Sequence, residues 1–548
     1  MKDQSKPGMA SLRSTKLAAK QRIQRLRRRR AWGLTVSGVI LAVVLGVLFV
    51  KPVLTPFDGN FEAPVTTGQS PPTPTATLVV EDKSTEEATT EPTKTPNVIT
   101  TLPTQAQVVV YPKDTPILYY AQSGDSLDVL AVHFGVEVSE ITSTNPLPEE
   151  GFISPGQLLL IPSRLDQISS PLKLIPDTEV VNSPSTVDFD INAFINEAGG
   201  YLSKYTEYLA STGKTSGADI IAKVSKEYSV NPRLILALLE YQSGWVYGEP
   251  DSSTEKDFAM GYVSYERKGF FNQCAWAAGK ISDGYYGWRE GRVVALSFPD
   301  QAILRMAPDL NSGTVGIMNL FSQLYELPDW GLVLYGTDSF FDFYTHMFGN
   351  PWLRAQAFEP LFSPDIVQPE FILPIEAGKV WAYTGGPHAA WGVADVRAAL
   401  DFAPPSDAGG CIESPEWVVA VAPGLIVRSE NGAVVIDMDG DGFEQTGWNI
   451  VYMHLATKNR VALGAYIEAG DRLGHPSCEG GRSTGTHFHI ARKYNGEWVP
   501  ADGPLAFNLG GWIAKAGSEN YTGWLMKDDK IIRANLAATY DSQIWVGK

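Results

Sequence analysis

Two imidazoles stand two residues apart in Thr486-His487-Phe488-His489, inside a run that alternates like a β-strand. Alternate side chains of a strand share a face, so His487 and His489 point to one side while Phe488 and Ile490 turn to the other. Two converging imidazoles are half of a zinc site. Five of the seven histidines (His388, His454, His475, His487, His489) fall within about a hundred residues of the 548, which locates the chemistry. A zinc ion that works on a substrate needs three protein ligands and an open position. The further candidates are His388, in Gly385-Gly386-Pro387-His388, and Asp401, in Leu400-Asp401-Phe402, thirteen residues on. A carboxylate on a strand and an imidazole from a preceding loop can converge over that separation.

The elements that must position these residues are short. From Phe371 to about Asn508, alternating runs separated by Gly, Pro and Asn predict an antiparallel β domain, with strands at 417–421, 424–429, 433–438, 449–454 and 486–493. With these motifs in place the stretch resembles the lysostaphin-like zinc metallopeptidases, and in particular their beta-lytic branch. Most of that family carries its first histidine four residues before the aspartate. Here Arg397 stands there, and a guanidinium stays protonated and cannot ligate. The beta-lytic branch takes its first ligand from an upstream GG-x-H turn, which matches His388. The resemblance implies that His388, Asp401 and His489 bind Zn2+. It also implies that His487 and His454, the latter in Val451-Tyr452-Met453-His454-Leu455, are unligated catalytic histidines. One accepts a proton from water and the other stabilises the oxyanion, with the assignment left open. His475 matches no ligand position and is read as structural.

Charge divides the chain. Residues 1–30 hold 11 Lys/Arg against one Asp, a formal +10, which leaves −27 for the remainder of a chain of net charge −17. An acidic body argues against nucleic acid as a partner. The basic tail abuts 31–50, twenty residues without a charge, long enough to cross a hydrocarbon core. Positive residues stay cytoplasmic, so the expectation is a single-pass anchor with the C-terminal domains outside the cell membrane, on the cell-wall side. A cleaved signal peptide is the competing reading, but the apolar run is long and no small-x-small cleavage site follows Lys51. Residues 51–115, rich in Pro, Thr and Ser, read as a disordered tether.

Residues 116–163 form the first compact unit, with a strand, a turn at Ser123-Gly124-Asp125-Ser126, a helix at 127–134, a second near 139–144 and a returning strand ending at Pro162. This βααβ order, with GDSL, FGV and PGQLLLIP, resembles a LysM domain. The resemblance implies binding of N-acetylglucosamine-containing glycan, as in peptidoglycan, by Gly124, Asp125, Ser126 and the loop after Asn145. Residues 164–187 read as a second linker. Residues 188–370 are mostly helical by periodicity, and VNPRLILALLEYQSGW resembles the opening of lysozyme-like transglycosylases. Gln242 stands where that family has its acid, and an amide cannot protonate a glycosidic oxygen, so this domain is expected to be non-catalytic. Its aromatic tract at 270–288 reads as core.

Asp437-x-Asp439-x-Asp441-Gly442 resembles the start of an EF-hand loop, a candidate for Ca2+, but position twelve is Trp448 instead of Glu and flanking strands make it a hairpin. Cys411 and Cys478 flank the histidine cluster and are the expected disulfide, leaving Cys274 unpaired. The 371–548 domain includes a C-terminal extension packed on it. Together these readings describe a multidomain, membrane-anchored peptidoglycan hydrolase, a zinc endopeptidase cutting peptide cross-links. The alternative is a non-catalytic wall-binding or regulatory protein that uses the same domains as docking surfaces.

Overall fold

The computed structural model describes residues 109–110 and 115–547, apart from 364, 393, 395, 407 and 408. The basic tail, the expected membrane span at 31–50 and nearly all of the tether lie outside those residues. Among the described residues no helix is long and apolar enough to cross a membrane.

In the first unit the strand Ile117–Tyr120 pairs antiparallel with Leu158–Ile161, which pairs in turn with Thr142–Ser143. Leu159 and Ile161 face inward onto Leu130 and Phe134 of the helix Leu127–Phe134, while the intervening Leu160 is exposed. Gly124, at φ +81°, makes the tight turn before the helix. The second helix expected near 139–144 is a single 3₁₀ turn, Val138–Glu140, followed by the Thr142–Ser143 strand. The cause is local. The Ser143 hydroxyl donates to Leu158 O at 2.8 Å and Thr142 Oγ1 to Leu160 O at 3.4 Å, drawing both residues onto the sheet.

Residues 164–187, expected to be a linker, are packed. Ile175, Val180 and Val181 are buried, Asp177 Oδ1 accepts from Asn311 Nδ2 and Gly313 N at 2.7 Å, and Glu179 pairs with Arg354 at 2.7 Å. The prolines there introduce 3₁₀ turns, Asp177–Glu179 and Pro184–Thr186. Longer helices follow at Gly217–Tyr228, Pro232–Ser243, Phe270–Arg289 and Ser312–Ser322. Asn231 caps the second of these by accepting from Arg233 N at 2.9 Å, and Pro232 sits in its first turn, where a missing N–H costs nothing. Trp276, Tyr285, Tyr286 and Trp288 on the Phe270–Arg289 helix are all buried, so the aromatic tract is core. Gln242 donates to the Tyr325 hydroxyl at 3.1 Å, and Glu240 Oε2 accepts from Val246 N and Tyr247 N at 2.8 and 3.0 Å. Glu240, two residues before the expected acid position, is therefore committed to closing a turn.

Among the described residues the largest sheet has nine strands. Across it lie Tyr466–Ile467, Gly424–Glu430, Ala433–Asp437, Trp448–Met453, Phe488–Tyr494, Arg397–Ala403, Val380–Ala389 and Gln543–Trp545, all antiparallel, with Glu497–Trp498 paired to Phe488–Tyr494. Leu400, Phe402, Tyr452, Phe488 and Ile490 are wholly buried at its centre. The strand expected at 417–421 shortens to Val418–Val419, because Val421 N donates to the Tyr452 hydroxyl and Pro423 has no donor to offer a ladder. A four-stranded sheet (Asn508–Leu509, Trp512–Ala516, Gly523–Lys527, Lys530–Arg533) and the last strand of the main sheet make the C-terminal residues part of this unit.

Arg289 joins all three parts. Its guanidinium donates to Glu497 of the β unit at 2.9 Å, lies 3.5 Å from Asp177, and donates to Ser123 O of the first unit.

Candidate metal centre

Strand register lines the site up. Asp401 lies directly opposite His489 on one neighbouring strand and Gly385 on the other, and Met453, which precedes His454, lies opposite His489 from the far side. Opposed side chains share a face, so the row crosses four strands on one side of the sheet. Gly385 is required by proximity: a Cβ there would stand 2.7 Å from Asp401 Oδ2, and one on Gly386 would stand 2.4 Å from Thr522 O. The register shifts between Gly385 and His388, and this bulge brings the His388 ring over Asp401.

His388 Nδ1 lies 2.8 Å from Gly386 O, and His489 Nε2 lies 3.1 Å from Ala390 O. A carbonyl oxygen only accepts, so these nitrogens carry the N–H and the opposite nitrogens bear lone pairs. His388 Nε2 and His489 Nδ1 stand 3.1 Å apart, each 3.2 Å from Asp401 Oδ1. That oxygen is buried without a hydrogen-bond partner. Three electron-pair donors thus converge, buried, with no proton among them. A metal cation fits such a set, and the two backbone carbonyls are the outer partners that fix ligand orientation.

His454 follows its strand at φ +65°, a region rarely adopted by residues other than glycine. Ser477 N and Oγ hold its carbonyl at 2.7 and 2.9 Å, and its Nδ1 donates to Glu479 O at 2.9 Å. His487 lies one residue before its strand, bridged to Ser477, and donates from Nδ1 to Gly485 O at 2.8 Å. Both rings therefore keep a lone pair on Nε2. Their centroids are 4.6 Å apart, and His487 Nε2 is 3.7 Å from Asp401 Oδ2. Burial, helped by neighbouring His487 and His489, pushes His454 down to about 4, so its ring is neutral near pH 7. A disulfide joins Cys411 to Cys478 beside these loops, and Cys274 is a buried thiol.

Tyr521 went unnoticed in the sequence. It stacks on His388 with centroids 4.1 Å apart, brought there by Gly386 N donating to Tyr521 O at 2.9 Å. Only its place in a GG-x-H-facing hairpin marks it, and no sequence spacing shows that. Arg397 donates to Gly517 O at 3.2 Å. His475 binds Glu416 O through Nδ1 at 2.9 Å and packs on Trp417.

Comparison with known proteins extends the geometry. Residues 119–162 match the LysM domain, and residues 173–361 match the family described as LasA, N-terminal domain. Protease LasA of Pseudomonas aeruginosa is 25% identical over 368 residues, covering 61% of this chain and 76% of that protein. Beta-lytic metalloendopeptidase of Lysobacter enzymogenes is 26% identical over 150 residues, covering 27% of this chain and 80% of that one. This chain is a metalloendopeptidase with a LysM domain, and it is similar to the beta-lytic, lysostaphin-like enzymes. The solved M23 metalloprotease Pseudoalterin aligns at 24% identity and a TM-score of 0.26, over 31% of this chain and 96% of that one.

In this metalloendopeptidase the LysM loops face inward. Gly124 and Ser126, with Glu149 to Phe152, line a cleft of about 640 Å³ whose other wall includes Arg289, Pro504 and Lys515. Two of the expected glycan contacts, Asp125 and Asn145, are not among the residues that line this cleft. Asp125 Oδ2 accepts from the Tyr119 hydroxyl and Gln122 N at 2.6 Å. Asp437, Asp439 and Asp441 cluster in a hairpin loop apart from the His388–Asp401–His489 group.

Proposed function

We propose that this metalloendopeptidase is a bacterial cell-wall hydrolase that holds zinc at His388, Asp401 and His489 and cuts peptide cross-links of peptidoglycan. The observation that carries the reading is the convergence of His388 Nε2, His489 Nδ1 and Asp401 Oδ1, each imidazole turned by a backbone carbonyl so that it offers a lone pair. Two imidazoles and a carboxylate are a nitrogen–oxygen donor set suited to catalytic zinc, with protein ligands on fewer than four positions. When bound, zinc supplies Lewis acidity toward a carbonyl and a water.

The remaining steps belong to the chain. His487 Nε2 offers a lone pair beside the Asp401 carboxylate and is the less buried of the two unligated rings, so it takes the proton from water and passes it to the leaving amine. His454, kept neutral by burial, holds its Nε2 beside the same space and orders the substrate. The Cys411–Cys478 bridge ties down the loop that leads to His487 and whose Ser477 and Glu479 hold His454.

Glycan would lie in the cleft between the LysM loops at Gly124, Ser126 and Glu149 to Phe152 and the β unit at Pro504 and Lys515. Glycan held there raises the effective concentration of attached peptides near the metal centre. The span at 31–50 would keep the enzyme on the cell membrane with its catalytic unit on the wall side.

The test is metal content together with product mass on purified wall. New amines with about one zinc per chain support the reading; new reducing ends, or activity in a zinc-free preparation, overturn it. Sequencing of the mature N-terminus decides the anchor, which a start near residue 60 would exclude.

A further inference from the structure

The loop after Asp437 takes no part in the metal centre, yet it carries a second set of oxygens. Asp437 ends the strand Ala433–Asp437, and Trp448 begins the next. Asp437, Asp439 and Asp441 each offer a carboxylate oxygen, all within 4.8 Å of one another. Asp437 is wholly buried, and among the described residues no lysine or arginine forms an ion pair with any of the three. Burial, with Asp439 close by, pushes Asp437 up to about 6. The loop's own N–H groups, Gly440 N at 3.3 Å and Gly442 N at 2.8 Å from Asp437, curl the chain so that the carboxylates share one side.

A second observation comes from the facing strand. Asn449 lies directly opposite Asp437 across the antiparallel pair and is also wholly buried. Opposed residues project from the same face with Cβ atoms about 4.5–5.5 Å apart, so its side chain lies on the same side of the sheet as that of Asp437. Asn449 Nδ2 donates to Thr446 O at 2.7 Å, but Asn449 Oδ1 is buried without a partner. A buried carbonyl oxygen left beside a buried carboxylate is doubly unfavourable: it lacks a donor and faces like partial charge. A cation seated between them removes both costs.

We propose that Asp437, Asp439, Asp441 and Asn449 bind one calcium ion. All four donors are oxygen, which selects a hard cation, and an irregular loop with a mixed carboxylate and amide set suits calcium better than the strict octahedron of magnesium. Where a helix-flanked calcium loop carries glutamate at position twelve, this hairpin has Trp448, packed on Tyr494, and the oxygen comes from the next residue, Asn449, instead. The ion has a structural consequence. The same loop carries Glu444, which accepts from Arg428 at 2.8 Å and lies 3.7 Å from Lys493 Nζ, while that nitrogen donates to Lys226 O on the helix Gly217–Tyr228. Calcium fixes the loop that holds Glu444 against the helical segment.

The test is thermal unfolding and calorimetric titration of the full-length protein with CaCl2, and in parallel with MgCl2, in buffer holding zinc at a fixed concentration. Calcium should raise the melting temperature by a few degrees, saturably and with about one ion per chain, with magnesium at least about tenfold weaker. Asp439 and Asp441 are exposed, so Asp439→Asn/Asp441→Asn should fold normally, melt as wild type does without calcium, and lose the calcium response. No response in wild type, an equal response in the double variant, or equal binding of magnesium overturns the proposal.

Discussion

Asp401 and His489 stand directly opposite each other on adjacent antiparallel strands, with Asp401 Oδ1 3.2 Å from His489 Nδ1. Sheet register, not a loop, sets their separation, so the pair is in place before any metal arrives. Only His388 depends on a bulged segment, the one that Gly385 and Gly386 permit.

Loss of a ligand should therefore remove the metal without unfolding the sheet. His489→Ala and Asp401→Asn should drop metal content from about one per chain to near zero. Changes to groups behind a ligand cost about 10–100-fold, so activity should fall by more than about 100-fold. Plasma emission analysis and release of new amines from wall measure the two effects. A variant that keeps both metal and activity excludes its residue as a ligand.

His487→Ala and His454→Ala should separate from those variants by keeping the metal. Each removes a positioned imidazole, and the expected loss of turnover is about 10²–10⁴-fold with metal content unchanged. Metal loss from either variant would instead make that ring a ligand.

Part of this centre could be read from spacing, where a side chain sits on a strand whose alternation assigns it a face; the roles came from the family resemblance. His489 and Asp401 are of that kind, whereas His454 lies one residue past its strand at φ +65°. Tyr521 was not legible: it reaches His388 through a hairpin that returns more than a hundred residues later, and tertiary pairing leaves no periodic trace. Composition misled at 164–187, where prolines and serines that suggest a free linker instead shape 3₁₀ turns whose side chains are buried by Arg354, Asn311 and Gly313. The hydrogen bonds that Asp125 Oδ2 accepts from the Tyr119 hydroxyl and Gln122 N were likewise not legible in the sequence.

His133 should make the fold acid-sensitive. It stacks on Trp288 at 3.7 Å with Nε2 bonded to Trp288 O, and burial pushes its pKa down to about 3. The unfolded chain, with a pKa of about 6.5, takes up the proton first, so stability is intact above that pH and is lost as the pH falls toward 3. Between pH 7 and 5 the loss should be about 2 kcal/mol. His133→Phe keeps the stacking and has no proton to bind, so denaturant unfolding of this variant should lose about 2 kcal/mol less over the same interval. Equal losses would assign the acid sensitivity to other groups.

Arg289 should be the residue on which cohesion of the three parts depends. Its side chain is 8% exposed and that of Glu497 is 1%, and they meet at 2.9 Å with Asp177 3.5 Å away and Ser123 O accepting from the same guanidinium. Removing the cation alone strands Glu497 without a counter-charge, which costs about 3–5 kcal/mol for a buried pair. Removing both charges avoids that penalty, since an apolar pair of similar volume is often no less stable. Arg289→Met should thus lower the unfolding midpoint strongly, and Arg289→Met/Glu497→Leu should recover most of the loss. The LysM unit gives an independent reading: with the Ser123 contact gone, limited proteolysis should cleave Arg289→Met between the first unit and the helices faster than wild type. If the double variant were no more stable than the single one, the stabilisation would come from Asp177 and the Ser123 carbonyl instead of the ion pair with Glu497.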